Sequence, residues 1–209
     1  MVGVKNLRQM RDMFSNFIKV KTEEDQKLLN KYGAHNIVVP NKMLGWLRSD
    51  HAGETGAVWI YRAASLAYWS KSIRKMAREH LPTEKNHLVI MEHLVQPSER
   101  SKLLFLWRVM GFGLGFLSSI FGYSVFCITI NAVETFVEGH YKYQITKLRA
   151  MKSHQKLLAV LIKCCDEEIH HREDAGRRIQ YGSNNAIRKW WVNIIEAGSE
   201  IAVKVSNRV

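Results

Sequence analysis

Glu84-Lys85-Asn86-His87 and Glu168-Ile169-His170-His171 are two copies of Glu-x-x-His, and each follows a lone glutamate upstream, Glu54 and Glu134. One copy alone is weak evidence. The chain has nine histidines, and a Glu and a His one turn apart usually share a solvated helix face. Two copies alternating with single glutamates inside apolar helical pattern constrain far more. One Glu from each of two helices and Glu-x-x-His from each of the other two is the ligand list of a carboxylate-bridged dinuclear metal site in a four-helix bundle.

The spacings test that fold. If Glu54 and Glu84 lie level on antiparallel neighbours, the turn falls near residue 69, where Trp69-Ser70-Lys71-Ser72 ends an apolar stretch. The same argument for Glu134 and Glu168 places a turn near residue 151, at Ala150-Met151-Lys152-Ser153-His154. Both suit short helix connections. Glu84 and Glu134 are 50 residues apart, too far for a tight hairpin. The pattern predicts a ferritin-like bundle with a long crossover between its second and third helices.

Periodicity puts the ligands on inward faces. Leu157, Leu161, Cys164, Glu168, His171 and Ala175 recur in steps of four and three, one stripe of a helix. Leu47, His51, Glu54, Val58, Tyr61, Ser65 and Tyr68 repeat this on the first helix, and Glu134, Val137, Tyr141, Ile145 and Leu148 on the third. Glu84, His87, Met91 and Leu94 do so on the second. Inward carboxylates are very costly unless paired, and two divalent cations cancel four of them. Glu138, one turn after Glu134, is an alternative or additional ligand, whereas Glu167 and His170 lie about 100° off the stripe and are expected at the surface.

Mixed carboxylate and imidazole donors suit iron or manganese. Cys127, Cys164 and Cys165 form no metal motif and read as small buried hydrophobes in a reducing compartment. Two irons leave open positions for dioxygen, with an organic substrate held beside them in a pocket dry of bulk water.

At 209 residues with three prolines and no alternating strand runs, an all-α fold is expected. Residues 1–43 read as a basic amphipathic extension, with Met10, Phe14, Phe17 and Ile18 on one side, and residues 44–209 as the bundle domain. From Val109 to Val133 there is no charged residue for 25 positions. That length qualifies as a membrane span, but Gly111, Gly113, Gly115 and Gly122 interrupt it and it runs straight into Glu134. A surface-lying or shallowly inserted segment is preferred, with a buried crossover as the alternative. The net charge of +12 suits an anionic membrane face and fits nucleic acid equally well, so it decides nothing alone. A last helix from about Ala186 to Ser206 carries Ile187, Trp191, Ile194, Gly198, Ile201 and Val205 as a stripe, either sealing the bundle or meeting a partner or membrane.

Arg48-Ser49-Asp50-His51-Ala52-Gly53-Glu54-Thr55-Gly56-Ala57, Glu84-Lys85-Asn86-His87, Gly111-Phe112-Gly113-Leu114-Gly115, Ala132-Val133-Glu134, His140-Tyr141 and Asp166-Glu167-Glu168-Ile169-His170-His171 resemble the demethoxyubiquinone hydroxylases of ubiquinone biosynthesis. The likeness runs from about Met43 to the end, including Ile195-Glu196-Ala197-Gly198. It implies a di-iron monooxygenase that hydroxylates the ring of 5-demethoxyubiquinol with dioxygen, drawing electrons from NADH. Its metal ligands would be Glu54, Glu84, His87, Glu134, Glu168 and His171. It also implies a polyprenyl quinone substrate and association with other ubiquinone-biosynthesis proteins. The location would be peripheral, on the cytoplasmic face of a bacterial inner membrane or the matrix face of the mitochondrial one, and no nucleic acid is expected.

Asp50, one turn before Glu54, is a candidate to orient a ligand imidazole. His140 and Tyr141 are candidates to line the ring pocket or relay a proton. Two departures stand out. Pro82 lies two residues before Glu84, where it could kink the helix and re-aim that ligand. Phe116-Leu117-Ser118-Ser119 is bulkier than the family pattern and could reshape the quinone entrance. Rival functions are a di-iron hydroxylase of tRNA, an iron-storage or peroxide-scavenging ferritin-like protein, and a non-catalytic scaffold of quinone synthesis.

Overall fold

The computed structural model describes residues 23–179 and 185–209. Among them there are helices and no strand: α1 (residues 23–32), α2 (Asn41–Ser65), α3 (Lys71–Leu94), α4 (Leu104–Ile120), α5 (Tyr123–Met151), α6 (Gln155–Arg177) and α7 (Asn185–Ser206). The bundle proper is α2, α3, α5 and α6. Its helices pair as α2 with α3 and α5 with α6, each pair joined by a short turn. At the first turn the Ser70 hydroxyl accepts from the Ile73 amide, satisfying one of the free donors that every helix start leaves. At the second, Lys152 and His154 both adopt left-handed backbone, which ends α5 and starts α6 within a few residues. Both turns lie where the glutamate spacing put them, and the segment from 95 to 122 is the long crossover.

The stretch from Val109 to Val133 is not one element. Gly122, at φ 104°, breaks it into the end of α4 and the start of α5. One face of α4 is pressed on α2. A Cβ on Gly111 would lie 2.3 Å from the Gly56 carbonyl oxygen, and one on Gly115 would lie 2.2 Å from that of Ile60. No larger residue permits this contact, so these glycines are there for close approach rather than for bending. The opposite face leaves Phe105, Leu106, Val109, Leu117, Ile120 and Phe121 exposed. No described helix is long and apolar enough to cross a membrane.

Two apolar clusters fill the bundle. One contains Met43, Leu47, Met91, Ile145, Leu157 and Leu161, the other Ile60, Ile73, Met76, Phe126 and Ile130. Along every bundle helix the predicted ligands fall between the residues of these two clusters, so the polar layer is walled by hydrocarbon at both ends. Leu29, Tyr32 and Ala34 join the first cluster, which ties the chain ahead of α2 to the core. The predicted apolar face of Met10, Phe14, Phe17 and Ile18 lies outside the described residues.

Two expectations change in the folded protein. Pro82 sits on the exposed side of α3, the helix continues through it, and Glu84 is fully buried all the same. On α7 the face turned inward is one residue over from the predicted stripe. Ile195 and Ser206 are buried while Ile187, Ile194 and Ile201 are exposed, along with Trp190. The predicted stripe is therefore split on a helix that packs on α5 and α2: Trp191, Gly198 and Val205 are half-buried, Trp191 against the second cluster, while Ile187 and Ile201 face outward.

Candidate metal centre

Glu54 on α2, Glu84 and His87 on α3, Glu134 on α5, and Glu168 and His171 on α6 converge in the layer between the two apolar clusters. None is more than 4 % exposed. They form two overlapping groups, Glu54–Glu84–His87–Glu168 and Glu84–Glu134–Glu168–His171, and within each group one ligand atom per residue lies within 4.8 Å of every other. Glu84 and Glu168 belong to both, the positions that bridging carboxylates require.

The electrostatics are those of a layer holding too much negative charge. Burial pushes Glu54 up to about 7 against the pull of His87. Burial, then the charges on Glu168 and Glu84, pushes Glu134 well above the carboxylate range. Glu84 is raised by burial and by Glu168. Burial also opposes ionisation of Glu168, but the charge on His87 and hydrogen bonds with both histidines outweigh it and hold that carboxyl low. His171 is carried up to about 10: burial opposes its charge, and bonds to Glu168 and Glu84 overcome it. Protons are thus retained where cations would relieve the same repulsion.

Oε2 of Glu84 is buried with no hydrogen-bond partner, and the buried Nδ1 of His171 lies against cluster carboxylates, 2.8 Å from Oε1 of Glu84 and 3.7 Å from Oε2 of Glu168. A buried polar atom left unpaired costs roughly 1–3 kcal/mol, and carboxylate and imidazole donors crowded within 4.8 Å of one another fit a bound cation. The residues present fit two metal ions.

A second layer holds these groups. The Tyr141 hydroxyl donates to Glu54 Oε1 at 2.6 Å, and the Tyr61 hydroxyl donates to Glu134 Oε1 at 3.2 Å. Each tyrosine lies two turns beyond the glutamate on its own helix and reaches the glutamate of the other. This crossed pair follows the repeated order of a lone glutamate and then Glu-x-x-His in the two halves of the bundle. The Nε2 of His87 bonds Glu167 Oε2 at 2.7 Å while its Nδ1 faces Glu168 Oε1 at 2.7 Å. His171 is braced differently, stacked on His80 with ring centroids 4.2 Å apart. His80 bonds Asp174 at 2.9 Å and Tyr61 at 3.0 Å.

Several roles differ from the sequence expectation. Asp50 reaches no ligand imidazole: its Oδ1 pairs with His140 Nε2 at 3.0 Å and accepts from Gln144 at 2.8 Å. Glu138 is engaged by Lys142 and Arg172, which leaves Glu134 as the glutamate of α5 in the cluster. His170 is exposed, as its phase on the helix predicts, whereas Glu167 is half-buried and bonded to His87. The sequence pattern gives Tyr61 only as a member of the α2 stripe and Glu167 only as a surface group, and carries no signal for His80 or Tyr32. The rule that a ligand imidazole donates its far N–H to an acceptor points to a group like Glu167, but not to which residue supplies it.

Beside the cluster is a cavity of about 290 Å³. All four cluster glutamates line it, with Tyr141, His140 and Asp50. Its walls are Met110, Gly111 and Leu114 of α4 and Ile194, Ile195 and Gly198 of α7, and none of residues 116–119. Met110 and Ile194 are each about half exposed, so the cavity reaches the surface between α4 and α7.

A helical bundle with a long crossover, whose core carries two overlapping carboxylate–imidazole groups, is a ferritin-like carboxylate protein. The family described as "Ubiquinone biosynthesis protein COQ7" matches residues 41–206, and the chain belongs to it. It is 30% identical over 170 residues to the "NADPH-dependent 3-demethoxyubiquinone 3-hydroxylase, mitochondrial" of Dictyostelium discoideum, covering 78% of this chain and 76% of that protein. It is 30% identical over 171 residues to the Homo sapiens protein of the same name, with the same shares of each chain. It is 31% identical over 172 residues to the "3-demethoxyubiquinol 3-hydroxylase" of Rhodospirillum rubrum, covering 78% and 77%.

Proposed function

We propose that this protein hydroxylates the quinone ring of a demethoxyubiquinol in ubiquinone biosynthesis, as an oxygen-dependent di-iron monooxygenase. The observation that carries the reading is the pair of ligand groups sharing Glu84 and Glu168 at the floor of an apolar cavity. Glu54, Glu84, His87 and Glu168 would hold one iron, and Glu84, Glu134, Glu168 and His171 the other. When bound, the irons supply the two-electron activation of dioxygen from which one oxygen atom enters the ring and the other leaves as water.

The chain's own residues do the rest. Tyr141 and Tyr61 fix the outer glutamates by hydrogen bonds, so the ligands are set before substrate arrives. Met110, Leu114 and Ile195 keep the cavity apolar and exclude bulk water from the ring. His140 lines the cavity and is held by Asp50, Ser49 and Gln144, where it can orient a ring oxygen or pass it a proton. The electron source is a reduced nicotinamide. The family resemblance implies NADH, and the names of the Dictyostelium and human relatives specify NADPH.

The apolar outer faces of α4 and α7 flank the mouth of the cavity, with Phe105, Val109, Trp190 and Ile201 exposed. This supports a peripheral position on a membrane, from which a polyprenyl quinone enters ring first between the two helices. The relatives include mitochondrial and bacterial proteins, and either inner membrane suits the reading. A tRNA hydroxylase or a soluble ferritin-like store gives no cause for that apolar rim.

Quinone profiling of cells lacking the protein tests the function. Demethoxyubiquinone should accumulate, and be cleared by the wild-type protein but not by Glu168→Ala. Unchanged quinone composition would remove the assignment. Co-sedimentation with anionic vesicles tests the rim: Phe105→Ser with Trp190→Ser should weaken it several-fold with bound metal unchanged.

A further inference from the structure

We infer that Glu167 and Tyr32 are positioning residues of the metal centre, the carboxylate fixing the imidazole of His87 and the phenol of the pre-bundle segment fixing the carboxylate. The inference rests on the metal-centre reading above and deepens it. His87 offers its two ring nitrogens to different surroundings. Nδ1 faces the ligand carboxylates, 2.7 Å from Glu168 Oε1 and 3.7 Å from Glu54 Oε2. Nε2 points away from the cluster to Glu167 Oε2 at 2.7 Å. A proton donated from Nε2 to Glu167 leaves the lone pair of Nδ1 free for a cation, so this bond sets both the tautomer and the ring angle.

Glu167 on its own would swing, because it is half-buried on the flank of α6. The Tyr32 hydroxyl donates to the same Oε2 at 2.5 Å. Tyr32 is itself held by the core: it is 5 % exposed, its ring meets that of His87 edge-on at 6.4 Å, and Lys163 Nζ lies 4.1 Å from its ring centroid. Lys163 also donates to the carbonyl of Lys31, which fastens the end of α1 to α6. Tyr32 lies ahead of residues 41–206, the part that matches the family. A segment outside the family region therefore braces one ligand, while His171, the counterpart of His87, is braced by a ring stack instead.

The test is stepwise cobalt(II) titration of the purified full-length protein after chelator treatment, read by absorption and by competition with a chromophoric chelator. The wild type should bind two equivalents in resolvable steps. Glu167→Ala should weaken one step about 10–100-fold and leave the other within about twofold. Tyr32→Phe, which keeps the ring and its packing, should weaken the same step about threefold to tenfold. Glu167→Gln keeps an acceptor oxygen and should recover most of the loss. Wild-type titration curves for both Tyr32→Phe and Glu167→Ala overturn the inference, as does an equal loss in both steps accompanied by a lower Tm. A wild-type protein that binds no cobalt sinks the metal-centre reading beneath it, a different result from two steps that ignore the variants.

Discussion

The His87 side and the His171 side of the cluster are alike in their ligands and unlike in what holds them. Each takes one outer glutamate, one histidine and a share of Glu84 and Glu168. Each outer glutamate accepts from a tyrosine on the opposite helix. Beyond that layer the likeness stops. His87 is fixed by a hydrogen bond to a carboxylate, and His171 lies flat against a second imidazole. The lesson is that the donor set repeats as a two-metal site would require, while the bracing answers to whichever elements pack nearby, α1 on one side and His80 of α3, backed by Asp174 of α6, on the other.

The comparison predicts a ranking of losses. Glu168→Ala removes a carboxylate common to both groups, so it should abolish binding of both metal equivalents, measured by metal analysis after reconstitution. Retention of one full equivalent would show that Glu168 belongs to one side only. His87→Ala and His171→Ala should each remove a single equivalent. If either removes both, the two positions are filled only together and the division into sides fails. Tyr61→Phe and Tyr141→Phe should come next, with Tyr61→Phe the larger because its hydroxyl also bonds His80. Each deletes one hydroxyl and leaves a buried carboxylate oxygen short of a donor, destabilising the protein by about 1–3 kcal/mol in urea denaturation. A larger loss for Tyr141→Phe would mean that the two sides of the crossed pair are not equivalent in energy, despite their symmetry in the chain.

What was legible in the sequence follows the same division. Glu54, Glu84, His87, Glu134, Glu168 and His171 interrupt apolar stripes at fixed helical phase, and a charge in such a stripe is visible in one dimension. The turns near residues 69 and 151 and the long crossover come from the same spacing. Glu167 was misplaced because phase on α6 says only that it leaves the stripe. It cannot say that α1 covers that flank and turns a surface position into a half-buried one. Asp50 was assigned to a ligand imidazole on proximity along α2, and His140 of α5 proved the nearer partner. On α7 the apolar residues were visible but their direction was not, since a helix with apolar groups on more than one side has no unique inward face until Ile195 meets the bundle. The glycines of α4 looked like interruptions of a span. Their cause, the approach of a backbone to Gly56 and Ile60, exists only in the packed pair.

The smallest predicted effect separates the two ways of bracing an imidazole. His80 both stacks on His171 and bonds Tyr61 and Asp174, and His80→Phe keeps a flat ring while deleting both bonds. Tyr61 would still donate to Glu134, and Asp174 would keep Arg178, whose guanidinium lies 2.8 Å from its Oδ2. The loss should therefore be about 1 kcal/mol or less in denaturation, with the second cobalt step little changed. His80→Ala removes the ring as well, leaves a cavity beside His171, and should cost more than the phenylalanine variant in both measurements. If the phenylalanine variant instead loses a metal equivalent as His171→Ala does, the His171 side also depends on a hydrogen-bonded chain. The contrast with His87 would then lie in which acceptor ends the chain, not in whether there is one.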